Sequence, residues 1–401
     1  MLPAFPPLVW VVLAGTLLTR TAFFMVWPFL AVLLERQFHL PPSQIGTILT
    51  IASAAGIPVG FWSGHLSDRF GRRGVLIAGC VGTVGAFLIL ATATTVYSYA
   101  LGAFLVGLCR VAIETTCNAL IADSIEEQRI RESAFNSRYF LINVGGAIGP
   151  LVGFLFGLSA RQVTFWIACL VYGLYTLLLV TVYRGPELVR SRAREETTIS
   201  NMVRTLGSDP RFLLLLLANF LAMVAYAQQE STLVQYLNLK GRDIVLGLFT
   251  ALMLTNTLTV IAFQFPLLRL LRSFDLFVRA YAGLGLFAAG FVTYALLPIH
   301  SYLGWIAGTW ILSIGEAILF PTLNLQVDRM APSHLKGSYF GASALSGLGF
   351  SVGPLVGGYL LQYVGGPMTF VVTALLTTLG ALSYWQSSRM TNATRTPETV
   401  A

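Results

Sequence analysis

Charge is what this chain has least of. Of its 401 residues, 10% are Asp, Glu, Lys or Arg, against about 25% in soluble domains, while 56% are hydrophobic. A globular protein of this length needs a polar skin, and this composition cannot supply one. A soluble domain is excluded, and an integral membrane protein is expected. Cysteine is scarce too: Cys80, Cys109, Cys117 and Cys169 all lie in apolar runs, without metal-ligand spacing or a disulfide framework, and read as small packing residues. The four histidines, His39, His65, His300 and His334, sit at the ends of such runs or between them and do not cluster. No nucleophile, metal or acid–base set converges, so neither an enzyme nor a metal site is expected, and no cofactor. The amino-terminal run has no basic leader and no A-x-A-like cleavage site, and it continues past Arg20 to Leu34. It is expected to be a retained helix rather than a signal peptide.

What the sequence has in abundance is apolar length. Twelve runs, near 8–34, 44–66, 74–94, 97–123, 133–157, 162–182, 211–237, 244–268, 276–297, 301–327, 336–362 and 367–387, are long enough to cross a bilayer as helices. None alternates in the period-two manner of a transmembrane β-strand. The expected fold class is an all-α membrane protein of twelve transmembrane helices.

The chain also nearly repeats itself. Residues 142–157 read INVGGAIGPLVGFLFG, and residues 346–361, 204 positions on, read SGLGFSVGPLVGGYLL. Gly145, Gly149, Pro150 and Gly153 meet Gly349, Gly353, Pro354 and Gly357 in that register, as Leu151 and Val152 meet Leu355 and Val356. Small residues are common wherever helices touch in lipid, but six matches in one register at half the chain length point to two pseudo-symmetric six-helix halves. That ground plan belongs to secondary transporters. The boundaries read as 1–182 for the first half, 183–210 for a polar cytoplasmic linker, 211–388 for the second half and 389–401 for a polar tail.

The net charge of +8 has a positional explanation. With both termini cytoplasmic, 18 of the 25 Lys and Arg fall on the inner side, four on the outer (Arg36, Arg161, Lys240 and Arg242), and Arg20, Arg110 and Arg138 within spans. That asymmetry orients the chain by the positive-inside rule, as a multi-pass protein of the cell inner (plasma) membrane. The basic balance therefore concerns topology and membrane lipid, not nucleic acid.

The connection after the second run reads GHLSDRFGRR, from Gly64 to Arg73. A tight turn at the membrane surface accounts for Gly64 and Gly71. Arg69, Arg72 and Arg73 suit the lipid headgroups, and Asp68 suits the positive N-terminal end of a neighbouring helix. The spacing G-x3-D-R-x-G-R-R resembles the G-x-L-a-D-R-x-G-R-K signature of the major facilitator superfamily, which lies between the second and third helices as this stretch does. The resemblance covers the whole chain: twelve helices, two halves and a long central loop. It implies the major facilitator fold and a monomer that carries a small-molecule substrate by alternating access. It also implies a conformational latch of Gly64, Asp68, Arg69, Gly71, Arg72 and Arg73 with Asp123, whose partner is expected to be Arg72. Gly145-x3-Gly149-Pro150-x2-Gly153 resembles the fifth-helix motif of the antiporter branch. The corresponding loop of the second half is eroded, keeping Arg269, Arg272 and Asp275.

Charges within spans are functional candidates, because each costs about 2.5–3.5 kcal/mol at the bilayer centre. Arg20 resembles a first-helix arginine of drug-exporter relatives. Arg110 and Glu114 stand four apart on one helical face, where mutual neutralisation is the plain alternative. Arg138 follows in the fifth run with Asn143 nearby, and Glu230 sits beside Gln228 and Gln229 in the seventh. Glu316, in SIGEAILFP, has no basic residue within four positions. Gly315-Glu316-x4-Pro321 resembles a tenth-helix element of proton-coupled multidrug exporters. Water exclusion favours a neutral carboxylic acid, which suits a proton carrier; pairing of Glu316 with Arg20 or Arg138 is the structural alternative. The first run carries no acid, unlike several drug/proton antiporters. Glu316, Glu114 and Glu230 are therefore the proton-coupling candidates, with the proton gradient as energy source. Arg20, Arg110, Arg138, Asn143, Phe24, Tyr226 and Gln229 are the substrate-cavity candidates. The expected function is proton-coupled multidrug efflux, an antiport of small amphipathic molecules. Proton-coupled uptake of a small solute and a non-transporting membrane sensor are the alternatives.

Overall fold

A computed structural model describes residues 5–59, 71–156, 160–182, 207, 209–331, 339 and 342–393. Its elements are helical. The first span is α1 (Pro7–Val26), a 3₁₀ turn (Trp27–Phe29) and α2 (Leu30–Phe38), and the second begins with α3 (Pro42–Ala54). Spans three to six are α4 (Arg72–Thr92), α5 (Val96–Ser124), α6 (Gln128–Leu155) and α7 (Val163–Val182). The seventh is α8 (Pro210–Ala227), a π turn (Gln228–Thr232) and α9 (Leu233–Asn238). Then follow α10 (Arg242–Leu270), α11 (Leu276–Leu296), α12 (Tyr302–Met330), α13 (Leu348–Tyr363) and α14 (Gly366–Ala393). Among the described residues, ten helical stretches are long and apolar enough to cross a membrane. The other two expected spans correspond to α3 and α13, and part of each lies outside the described residues.

The helices begin where local chemistry favours it. Proline occupies the first turn of α1, α3 and α8, where the missing amide donor costs nothing. Thr95 and Ser98 form a reciprocal capping box at α5. Within the spans, threonine hydroxyls donate back to carbonyls one turn earlier, as Thr16 does to Val12 O at 2.8 Å and Thr83 to Gly79 O at 2.8 Å. Lipid offers no partner to a hydroxyl, so these bonds let polar side chains sit in apolar helices.

Two compact units emerge, one of Met1–Arg192 with Leu237–Thr257, the other of Ala193–Tyr236 with Leu258–Ala401. Within the first, α1 packs on α6 and α7, α4 packs on α5 and α7, and α3 packs on α5. Within the second, α8 packs on α13 and α14, and α11 packs on α12 and α14. The same pairings recur: spans one with five and six, three with four and six, then seven with eleven and twelve, nine with ten and twelve. The end of α9 and the start of α10 join the first unit through side chains. Arg36 donates to Asn238 Oδ1 at 3.2 Å, Asn238 donates to Glu35 Oε2 at 2.9 Å, and Phe29 meets Phe249 edge to face.

The repeated glycines are the seams of these pairings. A Cβ on Gly149 would lie 2.5 Å from the carbonyl oxygen of Thr21 and 2.8 Å from the amide of Met25. A Cβ on Gly349 would strike the carbonyl oxygen of Phe220. In both halves the obstacle is backbone, which cannot rotate away, so only glycine lets α6 lie on α1 and α13 on α8 at this distance. Pro150 and Pro354 sit inside α6 and α13.

The irregular turns of spans one and seven also correspond. Trp27–Phe29, at Pro28, and Gln228–Thr232 overlap once the 204-residue offset is applied. Pro28 lacks the amide that would continue α1. In the seventh span Gln228 does the equivalent by side chain, donating to Val224 O at 2.8 Å and Gly353 O at 3.0 Å while Thr232 donates to Gln228 Oε1 at 2.6 Å.

At the start of α8, buried Asp209 caps the amides of Arg211 and Phe212, pairs with the Arg211 guanidinium at 3.1 Å and accepts from the Tyr339 hydroxyl at 2.9 Å. Burial opposes its charged form, but the bonds from Arg211, Tyr339 and Phe212 outweigh it and hold the carboxyl below the usual range. A depressed folded pKa contributes stability above the unfolded value, about 3.9, and that contribution is lost as pH falls through the folded one. Asp209→Asn should therefore lower the melting temperature of detergent-purified protein at neutral pH. The gap to wild type should narrow as pH falls below the unfolded value of about 3.9; a gap that stays unchanged under acid would remove the carboxylate from the account.

Candidate functional site

Three arginines from three helices converge on one acid inside the first unit. Glu114 Oε2 accepts from Arg20 Nη2 of α1 and, at 3.5 Å, from Arg110 Nη1 one turn earlier on α5. Glu114 Oε1 accepts from Arg138 Nη2 of α6 at 3.1 Å, and Asn118 takes the Nη1 of the same guanidinium at 2.8 Å. The packing of α1 and α6 beside α5 makes this possible, for Arg20 lies at the Gly145 contact, where a Cβ would sit 2.8 Å from its own. The local i,i+4 pair expected on α5 is present but is the longest of the three. Within the first unit, Arg20 and Arg138 are both engaged by Glu114.

Beside these groups lies a cavity of about 20 Å³, lined by Arg20, Arg110, Glu114, Arg138, Tyr172 and Tyr175 among others. That volume holds one water or one ligand oxygen. The Nε of Arg138, one of the lining residues, is buried without a hydrogen-bond partner among the described residues. Next to the cavity, the Arg110 guanidinium lies 5.6 Å from the centre of the Phe23 ring. Phe23 stacks on Trp27 at 5.2 Å and meets Phe24 edge to face. Sequence reasoning missed Asn118, Tyr172 and Tyr175. Asn118 extends the four-residue spacing of Arg110 and Glu114 along one face, a legible signal; the tyrosines stand in an apolar run and carry none.

The second unit places Glu316 of α12 in a buried position, where the Tyr226 hydroxyl donates to its Oε1 at 3.4 Å. The Tyr226 ring rests edge-on against Phe320 at 4.8 Å. Glu230 lies in the π turn of span seven beside buried Gln229. Asn143 donates to Tyr139 O of its own helix at 2.9 Å, an intrahelical bond.

Of the loop signature, Gly64, Asp68 and Arg69 lie outside the described residues. Gly71 caps α4 with φ of 84°, a left-handed conformation that glycine adopts without strain. Arg72 Nε donates to Asp123 Oδ2 at 3.0 Å, and Arg73 donates to Val180 O at 3.1 Å. These bonds tie the start of α4 to the ends of α5 and α7. Among the described residues no group of three His, Cys, Asp or Glu could hold a metal.

The profile of the major facilitator superfamily matches residues 12–347. The chain belongs to that superfamily. YqjV, an uncharacterized MFS-type transporter of Bacillus subtilis (strain 168), is 30% identical over 375 residues, 92% of this chain and 90% of that one. A Na⁺, Li⁺, K⁺/H⁺ antiporter of Planococcus maritimus is 25% identical, over 93% of each chain. The crystal structure of the nucleoside transporter NupG superposes with a TM-score of 0.81 at 11% identity, covering 96% of this chain and all of the other. The protein is thus a multi-pass membrane transporter with the major facilitator fold, and not an enzyme.

Proposed function

We propose that this transporter is a proton-driven exporter of small amphipathic molecules, located in the cell inner membrane with both termini cytoplasmic. The observation that carries the proposal is Glu316, a carboxyl buried in a membrane span with a phenol hydroxyl as donor. An acid so placed is neutral when shielded from water and releases its proton when hydrated, the cycle a coupling group needs. The antiporter-like glycine–proline motif and the relationship to a cation/proton antiporter support export. The membrane potential contributes about 2.3 kcal/mol per charge per 100 mV when a proton enters. The test is reconstitution into vesicles with an imposed pH gradient and an internal pH dye, with amphipathic compounds added as a panel. Substrate-dependent collapse of the gradient, coupled to outward movement, is expected. Substrate exchange with no proton movement would sink the proposal.

Orientation is checked separately. Cys80, Cys109 and Cys117 are buried and Cys169 is half-buried, so background labelling should be low. Lys240→Cys should react with an impermeant thiol reagent added to intact cells, and Ser191→Cys should not. The reverse pattern would invert the topology.

The Arg72–Asp123 pair is proposed to hold the cytoplasmic ends of α4 and α5 together during the transport cycle. Asp123→Asn should reduce transport about tenfold or more, while substrate affinity in detergent stays within a few-fold of wild type; a hydrogen bond to a charged group, at about 1.5–3 kcal/mol, supports that size of effect. Lost binding in a folded variant would instead place Asp123 on the substrate path.

A further inference from the structure

One end of the second unit carries exposed arginines at the level where its spans stop. The eighth span ends at Ser273, the ninth begins at Leu276 and the twelfth ends at Met390. Arg269 and Arg272 lie at the end of the eighth and Arg389 at the end of the twelfth, all three exposed. Because α11 packs on α14, with the Tyr281 hydroxyl 3.0 Å from Ser388 Oγ, the α10–α11 connection and Arg389 belong to the same end of one helix pair. Leu270, Phe274 and Trp385 are exposed beside these arginines. The Arg389 guanidinium lies 4.9 Å from the centre of the Trp385 ring. Indole among the headgroups with a cation reaching past it is the arrangement of a membrane–water boundary.

The connection itself is tied down through its backbone. It is a single 3₁₀ turn, Leu271–Ser273. Buried Arg279 donates from Nη2 to Arg272 O at 2.8 Å and from Nε to Phe274 O at 3.2 Å. The turn is thereby fixed while the side chains of Arg269 and Arg272 stay exposed. The acids of this end are placed elsewhere. Asp275 caps the Phe277 amide at 2.8 Å, and Asp209 is held by Arg211 and Tyr339. The end of α12 brings Asp328 and Arg329, one charge of each sign, and Glu316 lies about three turns deeper. No ion pair among the described residues engages Arg269, Arg272 or Arg389. The first half differs, for there Arg72 is engaged by Asp123 and Arg73 by Val180 O.

We propose that this end of the second unit binds anionic phospholipid. Arg389 on one side, and Arg269 and Arg272 on the other, take headgroup phosphate, and the acyl chains lie against Leu270, Phe274 and Trp385. A guanidinium presents two N–H donors to a phosphate at once. A free phosphate ion would use the charges but not the apolar rim, whereas a lipid uses both. The lipid surface holds whichever solute the transporter carries and in whichever direction.

The test titrates the purified full-length protein in detergent with dioleoyl phosphatidylglycerol, dioleoyl phosphatidylcholine and sn-glycerol 3-phosphate. Retained lipid is read by native mass spectrometry. Phosphatidylglycerol should bind about tenfold or more tightly than phosphatidylcholine, and glycerol phosphate should not displace it. One arginine beside an anionic headgroup is worth about fivefold in affinity, so Arg389→Gln should weaken phosphatidylglycerol by about that factor. Arg269→Gln/Arg272→Gln/Arg389→Gln should bring it down to the level of phosphatidylcholine. These side chains are exposed, so the triple variant should melt close to wild type in lipid-free detergent; the single variants carry the test if it does not fold. Arg161→Gln removes an exposed arginine of the first unit and should leave phosphatidylglycerol affinity unchanged. Phosphatidylglycerol bound no more tightly than phosphatidylcholine overturns the proposal, and is the result if an acidic partner or an acidic stretch of this chain occupies the arginines instead. So does lipid preference that the Arg389 and triple variants retain, or glycerol phosphate competing as well as the whole lipid. An equal loss in Arg161→Gln and Arg389→Gln would make net charge the cause and overturns it too.

Discussion

Glu114→Gln should be the most destabilising conservative change in the first unit. Glutamine keeps the size of the side chain and one carbonyl acceptor but removes the negative charge that Arg20, Arg110 and Arg138 share. Taking one partner from a buried ion pair costs about 3–5 kcal/mol, and Arg20 and Arg138 are the more deeply buried charges that would lose Glu114. With total stabilities of about 5–15 kcal/mol, that is a large share of what holds a domain folded. A sharp fall in monodisperse yield and a melting temperature many degrees below wild type are expected. Partial recovery in Arg20→Gln/Glu114→Gln would show that unpaired charge, rather than lost packing, is the cause. A Glu114→Gln protein as heat-stable as wild type would mean that the guanidiniums find other counter-charges and that the cluster is not a structural keystone.

Glu316→Gln should act on coupling and spare the fold. Its neighbour Tyr226 can donate to the glutamine carbonyl as it does to the carboxylate, so packing around α12 is preserved. Glutamine imitates the protonated acid but has no proton to release. Uphill export driven by a pH gradient should fall by at least a hundredfold, a barrier change of about 2.7 kcal/mol, while downhill substrate movement persists. Substrate-dependent proton entry into vesicles should disappear with it. Proton entry of wild-type size in this variant would clear Glu316, leaving Glu230 as the next acid to replace; Glu114, held by three guanidiniums, is already committed as their counter-charge.

The candidate site and the fold were legible to different degrees. The helical membrane class and the family came through, since hydropathy, the glycine–proline repeat and the loop signature are carried by short contiguous stretches. The charged residues of the site were also named, because an ionisable group in an apolar run stands out; Asn118, Tyr172 and Tyr175 were not. Nor was the arrangement. From sequence spacing, Arg110 is the neighbour of Glu114; in three dimensions Arg20, 94 positions away, and Arg138, 24 away, meet the same carboxylate. No local pattern encodes such meetings, which depend on which helix packs against which.

The irregular turns make the same division. Pro28 marks a break in the first span to any reader, whereas the π turn at Gln228–Thr232 has no proline and no glycine to announce it. It exists because a buried amide side chain takes the carbonyls of Val224 and Gly353, the second supplied by another helix. By itself, then, the sequence determined the solvent this chain lives in, its helical class, its duplicated plan and the residue types available for chemistry. These follow from transfer free energies and steric limits that act residue by residue. Only the tertiary structure decided which charges share a carboxylate and which glycines touch backbone. Those outcomes depend on distances of a few ångströms between segments remote in the chain, set by the packing of whole helices.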